Sequence, residues 1–378
     1  MRKGTQCVHS GSLDDAVHGG VNSPIYTSSA FNYLERSPVS YPRYFNTPNQ
    51  KAVVEKVCSL EGAEDGILFS SGMAAISTSL LAFAGTGDHV VMMDELYGGT
   101  HAFATDQFQR LGISCTFTAT DADAICAAVT DRTRVVVVES PTNPLLSVID
   151  IRKVGAFCSG RGIVSIIDNT FATPLFQNPL GLGIDVVVHS GTKYLGGHSD
   201  ICCGIAVTSK EHATRIRKLG LSLGGSMNAQ TCALLERSLK TLAIRVERQT
   251  ENAGHIARFL QAHEKVTRVN YPGLPDFRNH ALAKSQMSGF GPMLSFELDA
   301  AGANSNRFVR ALKIIKPAVS LGGIESTICA PAVTSHAKMS AEERARIGVS
   351  DSLLRLSVGI EQKDDLIGDL EQALKGRA

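Results

Sequence analysis

The sequence carries no surplus of either charge: 37 Lys and Arg stand against 36 Asp and Glu, a formal net charge of +1. That balance leaves no electrostatic footprint for nucleic acid or for an anionic membrane surface, and it turns attention to a small-molecule ligand. No apolar run approaches the roughly 18 residues of a membrane span. The opening Met1-Arg2-Lys3-Gly4-Thr5-Gln6-Cys7 continues into polar, glycine-rich sequence without the apolar stretch of a secretory signal. Nine cysteines, at 7, 58, 115, 126, 158, 202, 203, 232 and 329, are odd in number and contain no Cys-x-x-Cys pair, which fits neither a disulfide framework nor a zinc site. These absences predict a cytoplasmic protein with reduced, mostly buried thiols. There is no internal repeat and no low-complexity segment.

What is present is enough chain for more than one core. With 378 residues, 43% of them hydrophobic, two domains are expected, because single cores stop growing near roughly 250–300 residues. Residues 1 to about 50 are rich in Gly, Ser, Pro, Asn and Tyr and have little periodicity, so this segment must lie on something else. From Ala52 the pattern changes. Val53, Val54, Val57 and Leu60 recur at helical spacing, and Gly66-Ile67-Leu68-Phe69 leads into Ser70-Ser71-Gly72 and a helical stretch from Met73 to Phe83.

Short apolar runs then alternate with helical stretches: His89 to Met93, Ile113 to Thr118, Val135 to Val138, Ile163 to Ile167, Val186 to Val188 and Ile205 to Thr208. Near-continuous Val and Ile is what a strand buried on both faces requires, so the expectation is a doubly wound α/β fold. Helices are expected at roughly 98–110, 121–131 and 151–160. Another follows Gly224-Gly225-Ser226 and runs to about 252. Val266 to Tyr271, Met293 to Leu298 and Leu353 to Val358 are expected as strands of a second domain, and a final helix ends the chain.

In an open parallel sheet, ligands sit outside the carboxyl ends of the strands. Val135 to Val138 ends in Glu139-Ser140-Pro141-Thr142-Asn143-Pro144, Ile166-Ile167 in Asp168-Asn169-Thr170, and Val186 to Val188 in His189-Ser190-Gly191-Thr192-Lys193. An amide, a carboxylate and a lysine flanked by two hydroxyls suit an anionic, nitrogen-containing aromatic aldehyde. The lysine bonds the aldehyde, the carboxylate keeps a ring nitrogen protonated, and hydroxyls bind phosphate. Ser70-Ser71-Gly72-Met73 adds a loop-to-helix junction whose free N–H groups favour an anion. Taken singly, each residue has a plainer reading. Lys193 is a surface lysine, Asp168 a helix cap, Tyr97 a core aromatic and Arg355 the polar face of an edge strand. His189 and His198, nine residues apart with no ligand at metal spacing, read as structural, and Cys202-Cys203 reads as packed.

The segment Val188-His189-Ser190-Gly191-Thr192-Lys193-Tyr194-Leu195-Gly196-Gly197-His198 resembles the lysine motif of the family that contains cystathionine γ-synthase, cystathionine β- and γ-lyases, methionine γ-lyase and the O-acylhomoserine sulfhydrylases. The resemblance runs from about residue 5 to 375. It takes in Tyr41-Pro42-Arg43, Ser71-Gly72-Met73, Leu96-Tyr97-Gly98-Gly99-Thr100, Glu139 to Pro144, Asp168-Asn169-Thr170, Ser320-Leu321-Gly322-Gly323 and Arg355-Leu356-Ser357-Val358-Gly359, in the family's order.

The resemblance implies the fold type I architecture of pyridoxal-phosphate (PLP) enzymes. In outline this is an N-terminal arm (1–50) reaching the neighbouring subunit, a large PLP-binding domain (51–245) with a mostly parallel seven-stranded sheet, and a smaller C-terminal α+β domain (246–378). It implies that Lys193 is the Schiff-base lysine, that Asp168 pairs with the pyridinium nitrogen and that Tyr97 stacks on the ring. Asn143 would contact cofactor and substrate. Gly72, Met73, Ser190 and Thr192 would hold the phosphate, with Tyr41 and Arg43 supplied by a neighbour, and Arg355 with Ser320 would take the substrate carboxylate. The implied activity is a carbon–sulfur lyase acting on a sulfur amino acid of cystathionine, cysteine or methionine type by α,β- or α,γ-elimination. Lys193 would move the protons and Tyr97 would assist the leaving group. The alternative is a γ-replacement synthase. The implied assembly is at least a dimer, with a tetramer as the family expectation. One departure bears on substrate: Ala102 stands where the cystathionine enzymes place an arginine for a distal carboxylate.

Overall fold

The computed structural model describes residues 1–34, 37–299, 305–335, 337 and 340–376. Seven strands form the larger sheet: β1 (Asp65–Phe69), β2 (His89–Met93), β3 (Ser114–Thr118), β4 (Thr133–Glu139), β5 (Val164–Asp168), β6 (Val186–Ser190) and β7 (Gly204–Thr208). Their order is β1-β7-β6-β5-β4-β2-β3, with β7 antiparallel to both neighbours and every other pair parallel. Val135, Val136, Val137 and Val138 of β4 are all buried, as a strand covered on both faces must be.

The helices of this part are α1 (Lys3–His9), α2 (Pro48–Glu61), α3 (Gly72–Leu81), α4 (Gly98–Leu111), α5 (Ala122–Ala127), α6 (Ile151–Ser159), α7 (Thr173–Phe176), α8 (Lys210–Leu223), α9 (Ala229–Lys240) and α10 (Leu242–Gln261). Local chemistry fixes their ends. α2 starts with Pro48 behind a Thr47/Gln50 capping box and stops at Gly62, whose φ of 75° suits a residue without a Cβ. Asp121, Asp150, Ser209 and Asn228 accept N-cap bonds at α5, α6, α8 and α9.

The second sheet contains β8 (Val266–Asn270), β9 (Met293–Leu298), β10 (Lys316–Pro317), β11 (Thr327–Cys329) and β12 (Leu353–Ser357) in the order β10-β11-β12-β9-β8. It is antiparallel except for β10 against β11. The molecule is therefore an α/β protein with a mostly parallel central sheet and a smaller second sheet domain.

Three features depart from the expectation drawn from sequence. The polar N-terminal segment includes α1, which packs on α2, α9 and α10 of its own chain and buries Cys7 completely. α8 had no counterpart, and the helix expected to end near 252 is two helices meeting at Thr241, the second reaching Gln261. The step between them is tied by Arg245, which donates Nη2 to Ser238 O (2.9 Å), Nε to Thr241 Oγ1 (3.1 Å) and Nη1 to Tyr194 O (3.0 Å). α10 serves both cores: Leu242 and Val246 lie in the large cluster, Ala253, Ile256 and Leu260 in the small one.

Candidate active site

β4, β5 and β6 end side by side, with Glu139 in register with Asp168 and Asp168 with Val188. A cavity of about 470 Å³ opens over these ends, and ten of the twelve residues expected at the site line it. The exceptions are Tyr41 and Arg43. Arg43 donates Nη1 to Leu221 O of its own chain (2.6 Å), and Tyr41 packs edge-on against Tyr44 at 5.2 Å with 40% of its surface exposed.

One wall is the start of α3. Ser71 Oγ accepts from Ala74 N (3.0 Å) and Ser71 O from Ala75 N (3.1 Å). The Gly72 and Met73 N–H groups are left without intrahelical partners at the positive end of the helix. Gly72 also lets this turn close on β6, since a Cβ there would stand 2.9 Å from Ser190 Cβ and 3.0 Å from Ser190 Oγ. The Thr192 hydroxyl is already engaged: it accepts from Cys203 N (3.0 Å) and donates to Cys203 O (3.2 Å), fastening the lysine loop to the start of β7.

Deeper in, Asp168 Oδ1 accepts from both the backbone N–H and the hydroxyl of Thr170, and Thr170 Oγ1 in turn accepts from Ser190 N (2.8 Å). Asp168 Oδ2 has no hydrogen-bond partner among the described residues. Burial pushes the Asp168 carboxyl up, against the Thr170 bonds and the neighbouring His189 and Lys193 that pull it down. Beside it, burial and then the Asp168 charge push Glu139 well above the usual carboxylate range, which favours its neutral form. Glu139 Oε2 accepts from Tyr97 N at 2.8 Å, so this acid fixes the start of α4. Tyr97 itself is 45% exposed at the cavity mouth, and its ring lies over Gly99, where a Cβ would come within 2.5 Å of it.

The opposite wall carries the cations. Lys193 Nζ donates to Ser320 Oγ at 2.6 Å, and burial, then the charge of Arg355, lowers its pKa to about 8. Arg355, from β12, donates Nη1 to Asn143 Oδ1 (2.9 Å) and Nη2 to Ser320 O (3.0 Å), while its buried Nε has no partner among the described residues. Ser320 serves both cations from a φ of 74°, a left-handed conformation costing an L residue about 1–2 kcal/mol. Strain of this kind persists where the surroundings over-determine it, as this pair of contacts does.

Several cavity residues were not assigned from sequence, and three of them bear on the site. Glu139 was visible as a strand-end carboxylate, but its hold on Tyr97 comes from a distant segment. Cys202, expected to pack with Cys203, instead faces the cavity: Cys203 is fully buried and Cys202 is exposed. Val319 lies beside Ser320, 71% exposed, and no pattern marked it. Of the two histidines, His189 Nε2 bonds Glu61 Oε1 and His198 Nδ1 bonds Gly196 O, both at hydrogen-bond distance, and no metal-ligating cluster occurs among the described residues.

The donor set fits pyridoxal phosphate. It offers a helix start with free N–H groups for the phosphate, a carboxylate oxygen open to the cavity for the ring nitrogen, and a lysine of depressed pKa for the aldehyde. Comparison with known proteins points the same way. The family model described as Cys/Met metabolism PLP-dependent enzyme matches residues 4–375. Cystathionine beta-lyase MetC of Bacillus subtilis (strain 168) is 42% identical over 376 residues, covering 98% of this chain and 96% of its own. Cystathionine gamma-lyase of the same organism is 41% identical over 99% and 100% of the two chains. The crystal structure of cystathionine gamma-lyase from Lactobacillus plantarum complexed with L-serine superposes with a TM-score of 0.95 at 39% identity, covering 99% of each chain.

Proposed function

The chain belongs to the Cys/Met metabolism PLP-dependent enzyme family and is a PLP-dependent lyase, and from that premise we propose how its residues divide the work of cleaving a carbon–sulfur bond in a sulfur amino acid. The carrying observation is the convergence of Lys193, Asp168 and Arg355 on one cavity. Lys193 would hold the cofactor covalently, Asp168 its ring nitrogen, and the Gly72 and Met73 N–H groups with Ser190 its phosphate. Bound there, the cofactor supplies an electron sink for the pair left on the substrate α-carbon.

Arg355 takes the substrate α-carboxylate. Two of its five N–H donors are committed to Asn143 and Ser320, which aim the planar head, and the rest remain for a carboxylate. Lys193 Nζ, once released, accepts the α-proton. Its depressed pKa leaves a useful fraction as free amine near neutrality, and Ser320 Oγ keeps it in reach. The Tyr97 hydroxyl, on a side chain that lines the cavity, would protonate the departing sulfur. A leaving group on Cβ needs one proton abstraction and one on Cγ needs two, with Lys193 as the shuttle for both.

Tyr41 and Arg43 lie exposed on their own chain, which supports their use in a neighbouring subunit and an assembly of at least two chains, a tetramer by family precedent. Nine unpaired thiols fit a reducing, cytoplasmic compartment. The test is an absorbance spectrum of the purified protein, followed by addition of cysteine, cystathionine, methionine and O-acetylhomoserine in turn with assay of keto acid and free thiol. Keto acid from a thiol or thioether without an added nucleophile supports the lyase and identifies its substrate. Turnover only with an activated homoserine and a thiol together would overturn it in favour of replacement.

A further inference from the structure

Behind the cavity floor, away from the substrate side, lies a buried carboxylate that the reaction does not use. Glu61 ends α2 and is 2% exposed. Its Oε1 accepts from His189 Nε2 (2.7 Å) and from Asn169 Nδ2 (2.9 Å), and its Oε2 from Asn178 Nδ2 (3.1 Å). Asn169 directly follows Asp168 and is itself held by Gln177. His189 is fully buried, and its Nδ1 has no hydrogen-bond partner among the described residues.

A carboxylate buried this far requires a counter-charge as well as hydrogen bonds. The groups facing the pair are few. Lys3 of α1 reaches Glu61 only through Asn178, to which its ammonium donates. His189 alone touches Glu61 and also acts on Asp168, whose other charged neighbours are Glu139 from β4 and Lys193 after β6. Glu61 thus grips the chain on both sides of the site floor: His189 follows Val188, which lies in register with Asp168, and Asn169 donates its N–H to Val188 O (2.9 Å). Asn169 ties the backbone after Asp168 to the same carboxylate.

We propose that Glu61 and His189 are positioning residues for Asp168: Glu61 fixes the His189 imidazole of β6 and the Asn169 amide that follows β5, and together they keep the Asp168 carboxylate ionised and seated at the cofactor's ring nitrogen. The inference rests on the assignment of Asp168 to that nitrogen. It gives a purpose to a buried acid–histidine contact that core packing alone would not select, since a hydrophobic pair of equal volume is usually no less stable. The sign is definite. His189 is among the groups that pull the Asp168 carboxyl down, so without it Asp168 takes up a proton more readily and any property needing ionised Asp168 is lost at higher pH than in the native protein.

The test uses the holoenzyme and the variants E61Q, E61D, H189N and D168N. The readouts are the pH titration of the bound cofactor's visible absorbance, the cofactor dissociation constant, and kcat and KM. E61Q and H189N are expected to move the acid limb of the absorbance titration upward by about one pH unit. They should also weaken cofactor binding about tenfold and lower kcat with KM within twofold, while E61D, which keeps the charge, restores the native limb. If E61Q fails to fold, H189N decides by the same titration, because it keeps an amide within reach of Glu61. An unmoved acid limb and native cofactor affinity in folded H189N or E61Q, with D168N severely impaired, would overturn the inference alone. A D168N protein with native spectrum and affinity would overturn the assignment beneath it.

Discussion

An aldehyde can be captured only by a lysine that has lost its proton. Lys193 sits in a partly apolar cavity facing Arg355, and these two causes, burial first, lower its pKa from the ordinary 10.5 to about 8. At about pH 7.5 roughly a quarter of Lys193 is then free amine, against about one part in a thousand for an ordinary lysine, a ratio on the order of 200-fold. Apo protein mixed with pyridoxal phosphate in a stopped-flow instrument should therefore capture it at a rate that rises with pH through a midpoint near 8. Arg355→Met removes the cation while leaving apolar bulk, so the midpoint should move upward by about one unit. A native midpoint above 10, or an unchanged or lowered midpoint in the Arg355→Met protein, would refute the electrostatic account of this amine.

The other expectations concern geometry and assembly. Arg355→Lys keeps the charge and loses one prong of the carboxylate contact, so KM should rise about 30-fold, corresponding to about 2 kcal/mol, with the cofactor spectrum unchanged. Gly99→Ala places a methyl group against the Tyr97 ring and should lower kcat about tenfold while the melting temperature stays within a few degrees of native. Iodoacetamide should modify Cys202 ahead of the six buried cysteines, and bound cofactor should slow that modification, as peptide mass mapping would reveal. Arg43→Ala and Lys193→Ala homo-oligomers should each be inactive, yet their co-expressed mixture should recover about a quarter of native activity, because mixed dimers contain one intact site. Full activity in a monomer would exclude the shared site.

The parallel strands were legible because their chemistry is local. β4, β5 and β6 are runs of Val and Ile whose carboxyl ends carry polar residues, so Asp168 and Lys193 stood out as candidates by position, while their roles came from the family resemblance. Elements whose cause is tertiary were not legible. α8 buries only Ala213, Ile216 and Gly220 beneath a basic surface, too faint an apolar stripe to register. α1 is seven residues held by its neighbours, with Cys7 as its only buried side chain. The step at Thr241 depends on a guanidinium reaching back to Tyr194, fifty-one positions away in sequence. Cys202 and Cys203 read as one apolar pair, whereas the chain turning into β7 sends one side chain into the cavity and the other into the core. The Glu61–His189 contact joins residues 128 positions apart and leaves no local trace.

The shared helix α10 has a consequence for how the molecule comes apart. Arg355 belongs to the smaller sheet and Lys193 to the loop after β6 of the larger, so the site exists only while both hold their relation. The first turns of this helix are core to one unit and its last turns core to the other, so unfolding of either unit strips packing from a helix the other needs. Loss of either unit therefore draws the other with it, and the boundary between the two domains is a seam in architecture that is absent from thermodynamics.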